Sequence, residues 1–257
     1  MDRPLPDTDH RAHAFARETA RVPGDLRPQL EVCGERQAVR ELAFPPRATI
    51  FLQGDAADAV YQVIDGAVML YRLLPDGRRQ LVELIATGGL FGCGPQPSRD
   101  CTAETLLPTR CVAFERQLLD HSAALARQVN LQLSRQLCAL HEHVLLLGRK
   151  TALERVASFL MRHIPQRGHW PCPGPGAGNG AQFQLTLLRQ EIADYLGLTI
   201  ETVSRLLTSL RRRGVVHIEG LDEVEVNDVC RLCRLTGTHL AQSYWCSGQA
   251  TAAETQD

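Results

Sequence analysis

From Leu42 to about Phe114 the apolar positions come in short runs of strand length: Thr49-Ile-Phe-Leu52, Val60-Tyr-Gln-Val-Ile64, Val68-Met-Leu-Tyr-Arg-Leu-Leu74 and Gln80-Leu-Val-Glu-Leu-Ile85. Turn residues separate them, at Gln53-Gly-Asp55, Asp65-Gly66, Pro75-Asp-Gly77 and Thr87-Gly-Gly89. Asp-Gly pairs supply the positive φ that tight hairpins demand. Short strands at this spacing predict an all-β sandwich or barrel. Between 118 and 147 the period changes. Leu133, Leu137, Leu140, Val144 and Leu147 follow a 4-3-4-3 spacing, a seam down one side of a helix. Extended backward, the seam meets Asn130 and Ala126, and an Asn at such a position can fix register between paired helices. A core-facing helix of a monomer needs the same stripe. A helix of ~30 residues spans about 45 Å, however, which is long for one small domain and favours a dimer helix over 118–148.

Gly148 is expected to end that helix. Thr151-Ala-Leu-Glu154 is a capping-box sequence that opens a second one to about His163, with Leu153, Val156, Ala157, Leu160 and Ile164 on one face. Four Pro and five Gly within 165–180 predict a surface loop. Further on, Ile192, Ala193 and Leu196 make the apolar face of a short helix that Gly197 can end in the left-handed conformation. Leu198 plugs the turn, and Thr199 sits where an N-cap belongs. The next helix, from Ile200, buries Val203, Leu206, Leu207 and Leu210. Glu201, Thr202, Ser204 and Arg205 occupy its opposite face. That is the design of a helix-turn-helix, whose second helix enters the major groove N-terminus first. Arg211, Arg212 and Arg213 at the far end suit phosphates. After Gly214, Val215-Val-His-Ile218 and Val224-Glu-Val226 read as two strands of a wing.

The 257 residues carry a formal net charge of −1, which taken whole argues against nucleic acid. The placement reverses that reading: residues 149–217 hold ten Arg/Lys against four acids, a local +6, leaving −7 elsewhere. The basic residues are arginines apart from Lys150, as genomic base composition alone would produce. The polar N-terminus lacks a signal peptide's apolar core, and no apolar run reaches the ~18 residues of a membrane span. A cytoplasmic chain with nine cysteines as free thiols or metal ligands is expected. No nucleophile elbow, phosphate loop or metalloprotease helix is present, so an enzyme is not expected.

The run Ala193-Asp-Tyr-Leu-Gly-Leu-Thr-Ile-Glu-Thr-Val-Ser-Arg-Leu-Leu207 closely resembles the DNA-binding helices of the Crp/Fnr transcription regulators, above all the Fnr and FixK branches. The resemblance extends over roughly 40–230. It implies an α+β fold: a leader (1–39), a cyclic-nucleotide-binding-like β-barrel of jelly-roll type (40–117), a dimerisation helix (118–148), a winged helix-turn-helix (149–235) and a tail (236–257). It places Glu201, Ser204 and Arg205 at the family's base-reading positions. The chemistry agrees, since Arg can donate two bonds to guanine, Glu can accept from cytosine N4, and Ser adapts to either. Thr199, Thr202, Arg211, Arg212 and Arg213 fall to the DNA backbone. Asn130, Leu133, Leu137, Leu140, Val144 and Leu147 fall to the dimer seam. Ile200 and Ser204 stand where the Crp branch has Arg and Gly, which favours a TTGAT-N4-ATCAA palindrome. Leu188 stands where the family has a capping Ser or Thr, so this helix end is expected to fray by something like 1 kcal/mol unless Thr186 substitutes.

In cyclic-nucleotide-binding members a Phe-Gly-Glu segment holds the ribose and an Arg-Ser/Thr pair holds the phosphate. Here Phe91-Gly92-Cys93 and Arg99-Asp100-Cys101-Thr102 lack the ribose acid and put a carboxylate beside the phosphate. Cyclic AMP is therefore not expected, and Arg99 reads as a surface arginine. Fnr-type iron–sulfur clusters need several N-terminal cysteines, and Cys33 stands alone before Cys93, with Cys111 about one residue out of register. No cofactor is expected. FixK-type members share this pattern and act in regulation tied to low oxygen and nitrogen fixation. Cys230 and Cys233 are the candidate metal ligands, which Cys172, His239 and Cys246 could in principle complete; packing as small apolar residues is the stronger reading of the pair, and no metal is expected. In Fnr-like activators the loop matching Pro75-Asp-Gly-Arg-Arg79 touches RNA polymerase, while a tight charged hairpin needs no partner. The reading is a homodimeric DNA-binding regulator, an activator in type. A metal- or small-ligand-binding redox sensor with a cyclic-nucleotide-type effector site is the alternative.

Overall fold

The computed structural model describes Leu26 and residues 39–164, 180–219 and 222–237. The rest of the expected leader, the loop 165–179 and the tail beyond Gly237 lie outside the described residues, and with them Cys33, Cys172, His239 and Cys246. Two compact units divide between His143 and Val144.

In the first unit the expected strands form, with others between them: β1 (Val39–Phe44), β2 (Thr49–Phe51), β3 (Ala59–Asp65), β4 (Ala67–Leu73), β5 (Arg79–Ala86), β6 (Leu90–Phe91), β7 (Thr102–Thr105) and β8 (Thr109–Glu115). They make two four-stranded sheets, β1-β8-β3-β6 and β2-β7-β4-β5, with antiparallel pairing throughout. The expected jelly roll is present as a two-sheet sandwich, and no closed barrel forms among the described strands. The period of two sorts β3 and β8 onto two cores. Val63 and Cys111 face the second sheet with Phe51, Val68, Leu70, Ile85 and Phe91. Val60, Val112 and Phe114 point the other way, onto Leu118, Leu125 and Val129 of the helices that follow. Asp65-Gly66 turns as expected. Gly66 has φ +94°, and a Cβ there would lie 2.5 Å from the Pro108 carbonyl oxygen, so a larger residue is excluded twice over.

The long helix departs from expectation at both ends. A short α1 (Leu118–His121) stops at Ser122, and α2 runs Ala123–Arg149. Ser122 is extended, and its hydroxyl accepts from the Leu125 amide at 3.3 Å, so it restarts the helix as a cap would. Gly148 does not end α2, which continues to Arg149. A helical glycine costs roughly 1 kcal/mol, which a 27-residue helix tolerates at its penultimate position. Within the first unit, α2 buries Leu125, Val129, Gln132 and His143. The seam lies on the other side: Asn130 is exposed, Leu137 and Val144 are 53% and 66% exposed, and Leu133, Leu140 and Leu147 are half-buried. Leu131 and Leu145, which the spacing did not single out, are equally open, so the apolar strip is wider than the seam.

The α2 side chains reach into the sandwich edge. Gln132 donates to the Gly88 carbonyl, and Gln136 donates to Leu90 O at 2.7 Å and to Glu83 Oε1 at 3.0 Å. Burial pushes the Glu83 carboxyl up to about 7, opposed by the Gln136 bond. Cys93 and Cys101 lie close enough to feel its charge. A folded-state value raised from 4.5 to about 7 makes the neutral acid the stabilising form. That contribution is complete below about 4.5 and is lost as pH rises through about 7, at most about 3 kcal/mol. Urea midpoints at pH 5.5 and pH 8 should therefore diverge in the wild type, with the lower stability at pH 8. The gap should shrink in Glu83→Gln, which keeps the acceptor for Gln136; equal gaps in both proteins refute this.

In the second unit α3 (Ala152–Arg162) opens on the expected capping box. The Thr151 hydroxyl accepts from the Glu154 amide, and the Glu154 carboxylate accepts from the Thr151 amide at 2.7 Å. β9 (Ala181–Gln184), α4 (Arg189–Leu196), α5 (Ile200–Arg212), β10 (Val216–Glu219), β11 (Glu223–Val226) and α6 (Val229–Arg234) follow. β9 was not foreseen; it joins the two wing strands as a third, pairing Phe183 with Val224. No helix among the described residues is long and apolar enough to cross a membrane.

Candidate nucleic-acid interface

The interface is built on α4, the turn after it, and α5. Ile192, Ala193 and Leu196 are buried on α4, and Val203, Leu207 and Leu210 on α5, while Leu206 stays half-buried. Gly197 takes φ +60°, and its amide returns to the Ala193 carbonyl. This left-handed cap turns the chain sharply enough for Thr199 to cap the next helix two residues later. The Thr199 hydroxyl accepts from the Thr202 amide at 3.2 Å and meets the Thr202 hydroxyl at 3.1 Å, so these two expected backbone-contact residues also hold the helix start.

With one stripe of α5 committed to the core, the opposite stripe is fixed. Glu201, Ser204 and Arg205 are exposed there, one turn apart at the N-terminal end. Its own backbone amide, then the Thr199 hydroxyl and the Arg205 charge, hold the Glu201 carboxyl below its usual range. It therefore presents a carboxylate. Arg205 Nε donates to the Glu201 main-chain carbonyl at 3.3 Å, which leaves both Nη groups to face outward. Arg211, Arg212 and Arg213 are exposed at the far end, with Arg213 as the C-cap. The wing strands β10 and β11 form where the sequence placed them.

The N-terminus of α4, the end expected to fray, has no side-chain cap. Leu188 is its N-cap and offers no side-chain acceptor, but the buried Glu191 reaches back and accepts from the Leu188 amide at 2.7 Å. One half of a capping box thus survives the loss of the other. Arg189, which sequence reasoning passed over, starts α4 with its Nη1 buried and without an acceptor among the described residues. Desolvation lowers its pKa from the usual arginine value.

In the first unit, Arg99 is not a surface residue. It is 6% exposed, donates from Nη1 to Gly92 O at 2.8 Å and from Nη2 to Ala59 O at 2.7 Å, and lies 4.4 Å from the Phe51 ring centroid. A planar cation can be buried in this way because its edge meets carbonyls while its face meets an aromatic ring. Its terminal nitrogens tie β3 to the Phe91–Cys93 segment, and Asp100 beside it is exposed. These residues do not fit a cyclic phosphate. Burial pushes the Cys93, Cys101 and Cys111 thiols up to about 12. Cys230 is buried and Cys233 half-buried on α6, and no group of three metal-ligating side chains exists among the described residues.

The comparisons follow this division of the chain. The cyclic nucleotide-binding domain family matches residues 41–122, and the Crp-like helix-turn-helix domain family matches residues 154–235. The nitrogen fixation regulation protein FixK of Rhizobium meliloti is 36% identical over 191 residues, 71% of this chain and 81% of that protein. The transcriptional activator protein FnrL of Cereibacter sphaeroides is 38% identical over 197 residues, 74% of this chain and 77% of that protein. The solved structure of FixK2 from Bradyrhizobium japonicum aligns with a TM-score of 0.66 at 34% identity, covering 78% of this chain and 98% of that one.

Proposed function

This chain belongs to the Crp/Fnr family of DNA-binding transcription regulators, and on that premise we propose that it is an activator binding a TTGAT-N4-ATCAA palindrome as a homodimer. It works by binding and not by catalysis, in the cytoplasm. Its genes are those of oxygen- and nitrogen-fixation-linked control, as the names of its relatives suggest. The observation that carries the reading is the exposed ridge of Glu201, Ser204 and Arg205 on α5, backed by the buried Val203, Leu207 and Leu210. A base-reading surface has to be open, polar and rigidly backed, and this ridge is all three.

In this reading the exposed strip of α2 pairs with its copy, holding two α5 helices about 34–36 Å apart over successive major grooves. Arg189, Arg211, Arg212 and Arg213 take phosphates. The hairpin of Pro75 to Arg79 is the surface offered to RNA polymerase. It is stiffened by the Asp76–Arg78 pair at 2.7 Å and carries the exposed Leu73 and Leu74. The redox-sensor alternative is weakened by the buried, protonated thiols of the sandwich.

The test is a gel-shift titration of the full chain at physiological salt against the palindrome and a scrambled duplex. A preference of at least about 1,000-fold is expected. Equal affinity for the two duplexes overturns the proposal.

A further inference from the structure

α2 and α3 are separated by only Lys150 and Thr151. At this joint a single side chain gathers three main-chain carbonyls. Arg155 donates from Nη2 to Leu147 O at 2.6 Å, from Nε to Lys150 O at 3.0 Å and from Nη1 to Leu196 O at 2.9 Å. Leu147 lies in the last turn of α2, Lys150 in the joint, and Leu196 ends α4. The last carbonyls of a helix have no partner within it and carry the negative end of its dipole. One guanidinium therefore closes the C-termini of two helices from a third. Gly197 packs beside this fork: a Cβ there would lie in ordinary van der Waals contact, 3.5 Å, with both Arg155 Nη1 and Leu147 Cδ2.

We propose that Arg155 is the positioning residue that sets the angle between the last turn of α2 and the helix-turn-helix, and through it the half-site spacing the dimer accepts. The inference rests on the dimeric, palindrome-reading function proposed above. In a two-fold dimer the separation of the recognition helices has two determinants: how the α2 strips pair, and how each α5 departs from the end of its own α2. Leu147 belongs to both, with its side chain in the seam and its carbonyl on Arg155. A planar fork binding three acceptors fixes their relative orientation, whereas a point charge attracts them without doing so. Each added base pair shifts a half-site by about 3.4 Å and rotates it by about a tenth of a turn, so a rigid joint discriminates between spacers and a loose one does not.

The experiment uses the full chain as wild type, Arg155→Met and Arg155→Lys. Affinities are measured for palindromes with three-, four- and five-base-pair spacers, for a single half-site, and for a scrambled duplex. Circular dichroism melting follows each protein. The wild type should prefer the four-base-pair spacer. In Arg155→Met that preference should fall at least about tenfold toward equality, with single half-site affinity within about twofold. Arg155→Lys keeps the charge but cannot span three carbonyls, and it should lose most of the preference too; it also carries the test if the Met variant does not fold. Full spacer discrimination in a folded Lys variant overturns the assignment. A parallel fall of half-site and palindrome affinity likewise overturns it, because that is the signature of a purely structural role. If the wild type itself does not distinguish palindrome from scrambled DNA, the proposed function fails and takes this inference with it.

Discussion

Replacing Arg205 with alanine is expected to weaken binding of the TTGAT-N4-ATCAA palindrome about 100- to 10,000-fold. A bidentate arginine–guanine pair is worth about 1–3 kcal/mol of discrimination, and a dimer loses two of them. The fold should not notice. Arg205 is exposed, and among the described residues its hydrogen bond is from Nε to the Glu201 carbonyl, one turn back on the same helix. Exposed substitutions of this kind stay within about 0.5 kcal/mol of wild-type stability. Affinity for a scrambled duplex should fall far less, since that binding comes from phosphate contacts. Fluorescence anisotropy at one fixed salt concentration, with both duplexes, separates the two effects. An unchanged specific-to-scrambled ratio removes Arg205 from the reading surface.

The second large effect is expected at the seam. Leu137 and Val144 are 53% and 66% exposed, so replacing both with glutamate removes little from the single chain. In a paired helix the same change buries like charges against each other and costs several kcal/mol per pair at close range. Sedimentation should show the wild-type dimer becoming a monomer at micromolar concentration, with little change in the melting temperature of the sandwich. Palindrome affinity should drop about 100- to 10,000-fold toward that of one half-site, the avidity that a linked second site provides. A double variant that stays dimeric places the dimer contact elsewhere, with the neighbouring exposed Leu131 and Leu145 the first residues to examine.

What the sequence made legible here is what short-range chemistry controls. The helix-turn-helix was readable because Gly197, Thr199 and the spacing of Val203, Leu207 and Leu210 each act within a few residues. The strands were readable because Asp65-Gly66 and Asp76-Gly77 mark their turns. The misses depend on partners far away in the chain. Arg99 is buried because Ala59, 40 residues earlier, supplies a carbonyl. β9 exists because the wing strand β11 offers it an edge to pair with. Glu191 and Ser122 are nearer cases: a half capping box and a lone serine carry too little signal to distinguish a cap from an ordinary polar residue. Arg155 was visible only as one more arginine in a basic segment, since its three acceptors come from two other helices and a joint. Of the candidate site, the exposure of Glu201, Ser204 and Arg205 on one face of α5 was legible in the sequence, and the Arg155 joint was not.

The buried thiols of the sandwich have one more consequence. At a pKa of about 12, Cys93, Cys101 and Cys111 are thiolate in only about one molecule in 100,000 at pH 7. It is the thiolate that attacks peroxide, disulfides and alkylating agents. Among the described cysteines, Cys138 on α2 is the exposed one. Of the described cysteines, ageing in air and labelling reagents will therefore mark first the one on the outside of the long helix, while those inside the sandwich stay chemically silent.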